Sequence, residues 1–376
     1  MEKRKLGSTG FSISLLGLGG FHLVELPEKE ALRIVNLYLD QGGNYLETAE
    51  SYGSGNSEEK IGKVAKVRRN DFILATKSAQ RSKEGITRAL EGSLRRLNTS
   101  EVDIFFIHGL NRFEELDEIS SSQGALEGVE KAKKEGKIRF VAFSNHVTPE
   151  VALNALSLYP FDILMIPLNY FDRFNFPGWE EEVLPRAREK RMGILAMKAL
   201  ADGFLWESER EAIRYTLSLG VDSLVMGANT EEYLRRDIEV VENFVPFTPE
   251  EMKKVREEAP ELGSYVCRQC DKCLPCPLGI DIPGVFLLEG QYDRQMQDGI
   301  IRDPAQYALR DRLRFWLGNQ DYAQKAYQEL NPKASVCNEC GECEPRCHYK
   351  IPIIYKLNLA HEKLTDTRPP GYCRIS

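Results

Sequence analysis

From the N-terminus to about residue 245, short apolar runs alternate with amphipathic helical stretches. No other feature limits the fold of this chain as strongly. The runs are LLGLGGF (15–21), NYLETA (44–49), FILATK (72–77), VDIFFIHG (102–109), IRFVAFSNH (138–146), DILMIPLN (162–169), GILAMKAL (193–200) and DSLVMGAN (222–229). Several are apolar almost throughout, as parallel strands buried on both faces require. Between them, EKEALRIVNLYLDQG (28–42) sets Leu32, Val35 and Leu39 at helical spacing, and KEGITRALEGSLRRLN (83–98) and WEEEVLPRAREKR (179–191) also read as helices. Eight strands and eight helices in strict alternation predict an α/β chain folded as a (β/α)8 TIM barrel. A doubly wound sheet is the alternative. It expects a glycine-rich phosphate turn after the first strand, and LGLGGF does not give G-x-G-x-x-G in frame. The segment RKLGSTGFSIS reads as a hairpin turning at Ser8, Thr9 and Gly10, placed to plug the barrel floor.

Beyond PFTPEEMKKVREEAPELG (246–263) the pattern changes. Prolines become frequent, and all nine cysteines lie at or after Cys267. The expected division is a barrel over 1–260 and a second domain over 261–376. Eight cysteines form two tight groups, C267-R-Q-C270-D-K-C273-L-P-C276-P and C337-N-E-C340-G-E-C343-E-P-R-C347. In a reducing compartment such grouping points to metal ligation rather than disulfides. A C-x2-C-x2-C run supplies three corners of an iron–sulfur cube, and a distant cysteine supplies the fourth. In two-cluster ferredoxins that fourth ligand comes from the other motif. Two [4Fe–4S] clusters are therefore expected, one on Cys267, Cys270, Cys273 and Cys347, the other on Cys337, Cys340, Cys343 and Cys276. Two zinc sites are the alternative, since each group holds four sulfurs, and redox-active thiols are a third reading. Two residues rather than three precede Cys276, and His348 rather than proline follows Cys347, so the cross-pairing stays open. The 60 residues between the groups (277–336) carry helical patterns, RDPAQYALRDRLRFWL and DYAQKAYQEL, and fit a mainly helical dicluster ferredoxin-like domain. Cys373 stands alone and reads as a free thiol.

In a barrel, catalytic side chains sit at the C-terminal strand ends. Those ends carry Glu47 on strand 2 with Tyr52 just beyond, Lys77 on strand 3 and His108 on strand 4. Together they make an acid–base set. A phenol of pKa about 10 is a weak acid at neutral pH. A nearby ammonium lowers that value, a carboxylate orients the ammonium, and a histidine polarises a carbonyl oxygen. Tyr52 could then donate a proton to a ketone as hydride arrives. His22, His146, Tyr170, Phe171 and Trp179 lie near strand ends as further contacts to ligand, and each is as readily explained by packing. Lys198 could face an anionic group or simply be solvated.

NYLETAESYGSGNSEEKIG, ILATK, VDIFFIH and FSNH resemble the aldo-keto reductase family over residues 3 to about 245, with the motifs in family order. CLPCPLGIDIP followed by C-x2-C-G-x-C resembles the iron–sulfur branch of that family. The resemblance implies the catalytic roles just given, an NAD(P)H cofactor, and a small carbonyl or alcohol substrate. It also implies that Ser144 and Asn145 hold the nicotinamide carboxamide, and it brings the cofactor to Gly227, Ala228 and Asn229 after strand 8. Some positions depart from the family. Glu47 stands for aspartate, Met165 for glutamine, and Gly227 and Tyr233 for basic residues that grip a 2′-phosphate; Arg235 and Arg236 lie close enough to compensate.

A net charge of −7 disfavours nucleic acid, no apolar run is long enough for a membrane span, and MEKRKLGSTGFSIS lacks an apolar signal core, so a cytoplasmic protein is expected. Nicotinamide moves electrons in pairs and clusters move them singly. Three functions follow from this. One is a nicotinamide-dependent carbonyl oxidoreductase that also carries clusters. The second is a flavin-bearing barrel fed single electrons by a ferredoxin-like donor, and the third is a non-catalytic electron-transfer module.

Overall fold

The computed structural model describes residues 1–296 and 320–366. The helical pattern expected over RDPAQYALRDRLRFWL and the lone Cys373 lie outside the described residues. By compactness the chain divides into two units. One comprises Met1–Asn169, Gly178–Leu200 and Glu207–Phe247; the other comprises Tyr170–Pro177, Ala201–Trp206 and the chain from Thr248 onward.

The first unit is a closed eight-stranded parallel barrel preceded by a hairpin. Strands β1 (Lys3–Lys5) and β2 (Ser12–Ser14) pair antiparallel. The barrel strands are β3 (Leu16–Gly19), β4 (Tyr45–Glu47), β5 (Ile73–Ser78), β6 (Val102–Ile107), β7 (Ile138–Ser144), β8 (Ile163–Pro167), β9 (Gly193–Met197) and β10 (Ser223–Met226). They pair in sequence order, and β10 closes on β3. The eight predicted runs are these eight strands, trimmed at their ends. Helices intervene as the apolar spacing required, over Glu28–Asp40, Asn56–Arg68 and Lys83–Arg96 among others. Ser82 caps the last of these by accepting from the Gly85 N–H. The helix expected over 179–191 begins as a wide turn at Trp179–Val183 before the α-helix Leu184–Glu189.

Side-chain parity fixes what fills the barrel. Tyr45, Ile73, Ala75, Ile104, Phe106, Ala142, Ile163, Met165, Leu195, Met197 and Val225 form one buried cluster. They stand two apart on their strands, as inward positions must. The same cluster includes Leu6 and Ile13 of the hairpin, both fully buried, so the hairpin closes the floor. Each such side chain contributes roughly 1.5–3 kcal/mol on burial. Gly7 makes the closure feasible. Its φ is +48°, it donates to Asp222, and a methyl there would run into the backbone of Gly193.

The second unit contains helices Pro249–Glu258, Ile282–Asp293, Gln320–Glu329 and Ile353–Thr365. Its core gathers Ile280, Val285, Phe286, Tyr327, Ile353 and Leu357 around Cys267, Cys273 and Cys343, with Cys276, Cys337 and Cys347 packed against it. A buried ion network lies under this core. Glu289 meets Lys356 at 2.8 Å and Lys363 at 2.9 Å, and Lys363 also meets Asp293 at 2.8 Å. Full pairing is what makes burying four charges tolerable. Among the described residues, no helix is long and apolar enough to cross a membrane.

Candidate active site and cysteine unit

Continuing the inward parity by one step beyond the apolar filling gives Glu47 after Tyr45, Lys77 after Ala75, His108 after Phe106 and Ser144 after Ala142. The barrel's own geometry therefore brings these residues to one end of its interior. Lys77 is about 1% exposed. Its Nζ pairs with the Glu47 carboxylate, donates to the Thr48 carbonyl at 3.1 Å and lies 3.2 Å from the Tyr52 phenolic oxygen. The Tyr52 ring meets His108 edge-on at 6.0 Å between centroids, and Phe21 edge-on at 5.2 Å. His146 stands 5.7 Å from His108.

Burial sets the protonation of this group. It pushes the Tyr52 phenol above its ordinary range and pulls the Lys77 ammonium well below its own. His108 is driven down to about 3, first by burial and then by the positive charges of Lys77, Arg81 and Lys198. His146 is lowered by burial, then by Lys198, His108 and Lys77. Near neutral pH the site thus presents a protonated phenol beside two uncharged imidazoles. Such a phenol can give a proton to an oxyanion, and a neutral imidazole can donate a hydrogen bond to the same oxygen without competing as an acid.

The other predicted ligand contacts fall differently. Ser144 is fully buried, and its hydroxyl oxygen accepts from the Gly109 N–H at 3.0 Å. Asn145 is also fully buried, but its amide is engaged with backbone. It donates to the carbonyls of Leu110 and Thr148 and accepts from the N–H groups of Val147 and Thr148. That side chain shapes the loop after β7 and can orient a ligand only through it. Lys198 adopts φ +61° just after β9, and its charge is felt at both histidines. Gly227, Ala228 and Asn229 follow β10, and the His22 ring packs so closely on Gly227 that a methyl would strike it. Arg235 is exposed and lies 3.9 Å from Glu231, while Arg236 pairs with Glu209. Both guanidiniums thus have carboxylate neighbours. Phe171 stacks on Phe204 at 4.8 Å and 15°, and Trp179 is buried. Two contributors escaped the sequence reading. Phe21 packs on Tyr52, and Arg81 donates to the His108 and Gly109 carbonyls and pairs with Glu115, all at 2.9 Å. A long-range clamp of this kind leaves no local signal in a sequence.

In the second unit, Cys267, Cys270, Cys273 and Cys347 line one small enclosed cavity with Phe286, Pro283, Tyr349, Ile351 and Ile353. Burial raises the Cys267 thiol to about 11 and the Cys273 thiol to about 12. The Lys356 charge opposes the shift at Cys267. Cys343 is raised by burial, by Glu344 and by its neighbours Cys337 and Cys340. Cys267, Cys270, Cys273 and Cys347 thus share one cavity, while the neighbours felt at Cys343 are Cys337 and Cys340. Among the described residues, no three Cys, His, Asp or Glu side chains converge on the position of a single ion.

The description "Aldo/keto reductase family" belongs to the family model that matches residues 15–212. A Bacillus subtilis (strain 168) protein named uncharacterized oxidoreductase YqkF is 31% identical over 265 residues, spanning 66% of this chain and 82% of that protein. Aldo-keto reductase YhdN of the same organism is 29% identical over 222 residues, spanning 54% of this chain and 64% of that protein. Among solved structures, the holo form of aldo-keto reductase AKR11C1 from Bacillus halodurans superposes with a TM-score of 0.60 at 27% identity, over 68% of this chain and 96% of that one. A closed parallel barrel whose strand ends carry the motif residues thus coincides with a family match over more than half the chain, and the chain belongs to the aldo/keto reductase family of oxidoreductases.

Proposed function

We propose that this enzyme interconverts a small carbonyl compound and its alcohol with NAD(P)H, using Tyr52 as the general acid–base. The observation that carries this reading is the 3.2 Å contact between Tyr52 and Lys77, with Lys77 in turn paired to Glu47. A bound nicotinamide supplies the hydride that reaches the carbonyl carbon. The chain's own residues manage the proton. Tyr52 transfers its phenolic proton to the carbonyl oxygen as that oxygen gains charge. Lys77 lies against the phenolate left behind and stabilises it, and Glu47 holds Lys77 in place. His108, uncharged, donates a hydrogen bond to the same oxygen and fixes the face presented. Ser144 is the candidate contact to the carboxamide. Asn145 acts through the loop it ties together, and Gly227, Ala228, Asn229 and Arg235 are the proposed contacts after β10. A Tyr52→Phe enzyme that still reduced any carbonyl substrate at the wild-type rate would remove Tyr52 as the acid.

The proposal extends to the second unit, residues 261–376, as a helical ferredoxin-like domain with two [4Fe–4S] clusters. The cavity shared by Cys267, Cys270, Cys273 and Cys347 supports it, because cubane thiolates each bind a different iron and need a common enclosure rather than a common point. Cys337, Cys340 and Cys343, with Cys276 from the other motif, form the second proposed set. The electron-fed alternative, with a flavin in the barrel and a ferredoxin-like partner, draws on the engaged Asn145 amide and on Met165 in the strand β8 position. Membership of an oxidoreductase family removes the reading as a non-catalytic module. Anaerobic purification with iron, sulfide, zinc and organic cofactor measured on one sample decides among these. About eight irons and eight sulfides per chain support two clusters, zinc without sulfide overturns them, and a released flavin favours the electron-fed enzyme.

A further inference from the structure

The two chain segments Tyr170–Pro177 and Ala201–Trp206 follow barrel strands β8 and β9 in sequence, yet both belong to the compact unit that carries the cysteines. Loops at the C-terminal ends of barrel strands are where such enzymes place substrate contacts. What holds these two loops is therefore of functional consequence.

Within that unit both loops converge on two consecutive residues, Arg294 and Gln295. Arg294 is about 1% exposed. One arm of its guanidinium donates to Asp172 at 2.7 Å in the first loop, and the other to Asp202 at 3.2 Å in the second. Gln295 is about 2% exposed. Its amide nitrogen donates to Asn175 Oδ1 at 3.1 Å, and its amide oxygen accepts the backbone N–H of Cys267 at 2.8 Å. Asn175, fully buried, passes the connection on by donating to the Phe171 carbonyl at 3.1 Å. Phe171 stacks on Phe204, which joins the two loops a second time.

The backbone that presents this pair is unusual. Arg294 has φ +63° and Gln295 φ +57°, a left-handed conformation that disfavours side chains with a Cβ. Two such residues in a row at the end of the Ile282–Asp293 helix persist only if their contacts over-determine them. Gly290, one turn earlier, is required by the same packing, since a methyl there would collide with Asn175. A guanidinium fork holds two carboxylates in fixed relative directions, which the freely rotating ammonium of a lysine does less rigidly.

We propose that Arg294 and Gln295 are positioning residues that hold both loops on the backbone of Cys267, so that metal ligation at Cys267 sets the order of both loops. The coupling to ligation rests on the iron–sulfur reading above; the strut itself does not.

The test is hydrogen exchange by mass spectrometry on the full-length protein, anaerobic, as purified with its iron and again after iron is removed by a chelator, with iron assayed on each sample. Peptides covering 170–177 and 201–206 should exchange about tenfold faster in Arg294→Met and after iron removal, while β5 (Ile73–Ser78) stays protected. Asp202→Asn, a milder change at a partly exposed partner, should loosen 201–206 more than 170–177. With a carbonyl substrate, Arg294→Met should raise KM about tenfold with kcat little changed, and Arg294→Lys should recover only part of the loss. Wild-type exchange of both loops in Arg294→Met and in Asp202→Asn overturns the strut. Loosening in the variants without loosening on iron removal overturns the coupling to Cys267. A sample with no iron to remove marks failure of the cluster reading instead, and the variants then judge the strut alone.

Discussion

Lys77 Nζ lies 3.2 Å from the Tyr52 phenolic oxygen and bonds at the same time to the Glu47 carboxylate and the Thr48 carbonyl. Every donor direction of this buried ammonium is thus accounted for. Its position is set by strand β5, while that of Tyr52 is set by the turn after the neighbouring strand β4, where the Tyr52 N–H donates to the Ala49 carbonyl, so the contact follows from the pairing of these two strands and that turn. Replacing Tyr52 by phenylalanine removes the proposed proton donor and leaves the packing with Phe21. A fall in kcat of about 10²–10⁴ is expected, with iron content and thermal midpoint unchanged. Steady-state rates and an iron assay on the same preparation check it.

His108 should leave no mark on the pH–rate profile between pH 4 and 8. Its imidazole is held down to about 3 by burial and then by Lys77, Arg81 and Lys198, so it stays neutral across that range. For stability the sign is the opposite of a paired histidine's. The unfolded chain takes up this proton near pH 6.5 and the folded chain only near 3, so stability is full above about 6.5 and is lost as pH falls between the two values. His108→Gln, which keeps a donor but cannot titrate there, should flatten the acid side of the melting-temperature curve. An unchanged acid slope in that variant would refute the assignment.

Much of the barrel and its acid–base group was legible in the sequence because both follow from periodicity. The apolar runs place the strands, and the two-residue repeat that points Tyr45, Ala75 and Phe106 inward continues to Glu47, Lys77 and His108. What could not be read depends on partners far away along the chain. The Asn145 amide is engaged by Leu110, Val147 and Thr148, so its ligand role could not be judged from its place after β7. Phe171, which reads equally as a ligand contact or as packing, stacks on Phe204. The segment 170–177 looks like any strand-to-helix loop until Arg294, more than a hundred residues later, binds it. The pair of Arg236 with Glu209, 27 residues apart, is equally invisible to a search for phosphate-gripping positions.

Asp237 should make the protein less stable as pH rises. Its carboxyl is lifted to about 8, chiefly by burial and then by Glu209, with Arg236 opposing. The unfolded carboxyl ionises near pH 4 and the folded one near 8, so the contribution is present at low pH and lost between those values, with a ceiling of about 5 kcal/mol. Asparagine keeps a donor for Glu209 and has no charge to desolvate. Asp237→Asn should therefore raise Tm by roughly 5 °C at pH 8 and leave it unchanged at pH 4. Calorimetry at the two pH values tests both the size and the sign.

Single cysteine replacements test the proposed clusters and their cross-pairing, because the two candidate groupings predict different partners for the fourth ligand. If ligands stayed within each motif, Cys276 would share the fate of Cys270, and Cys347 that of Cys340. The enclosed cavity instead joins Cys347 to Cys267, Cys270 and Cys273. Cys347→Ala and Cys270→Ala should accordingly each lower iron by about four atoms per chain and abolish the same paramagnetic signal in the reduced protein, while Cys276→Ala abolishes the other. The pattern of matched signals, rather than the iron loss, is the informative reading, since all three variants remove one ligand from one set. Loss of the Cys270 signal in Cys276→Ala, with Cys347→Ala matching Cys340→Ala, would return each cluster to its own motif. Complete iron loss in every variant would show that the two sets fold as one unit, as expected if the core shared by Cys267, Cys273 and Cys343 cannot close around one cluster alone.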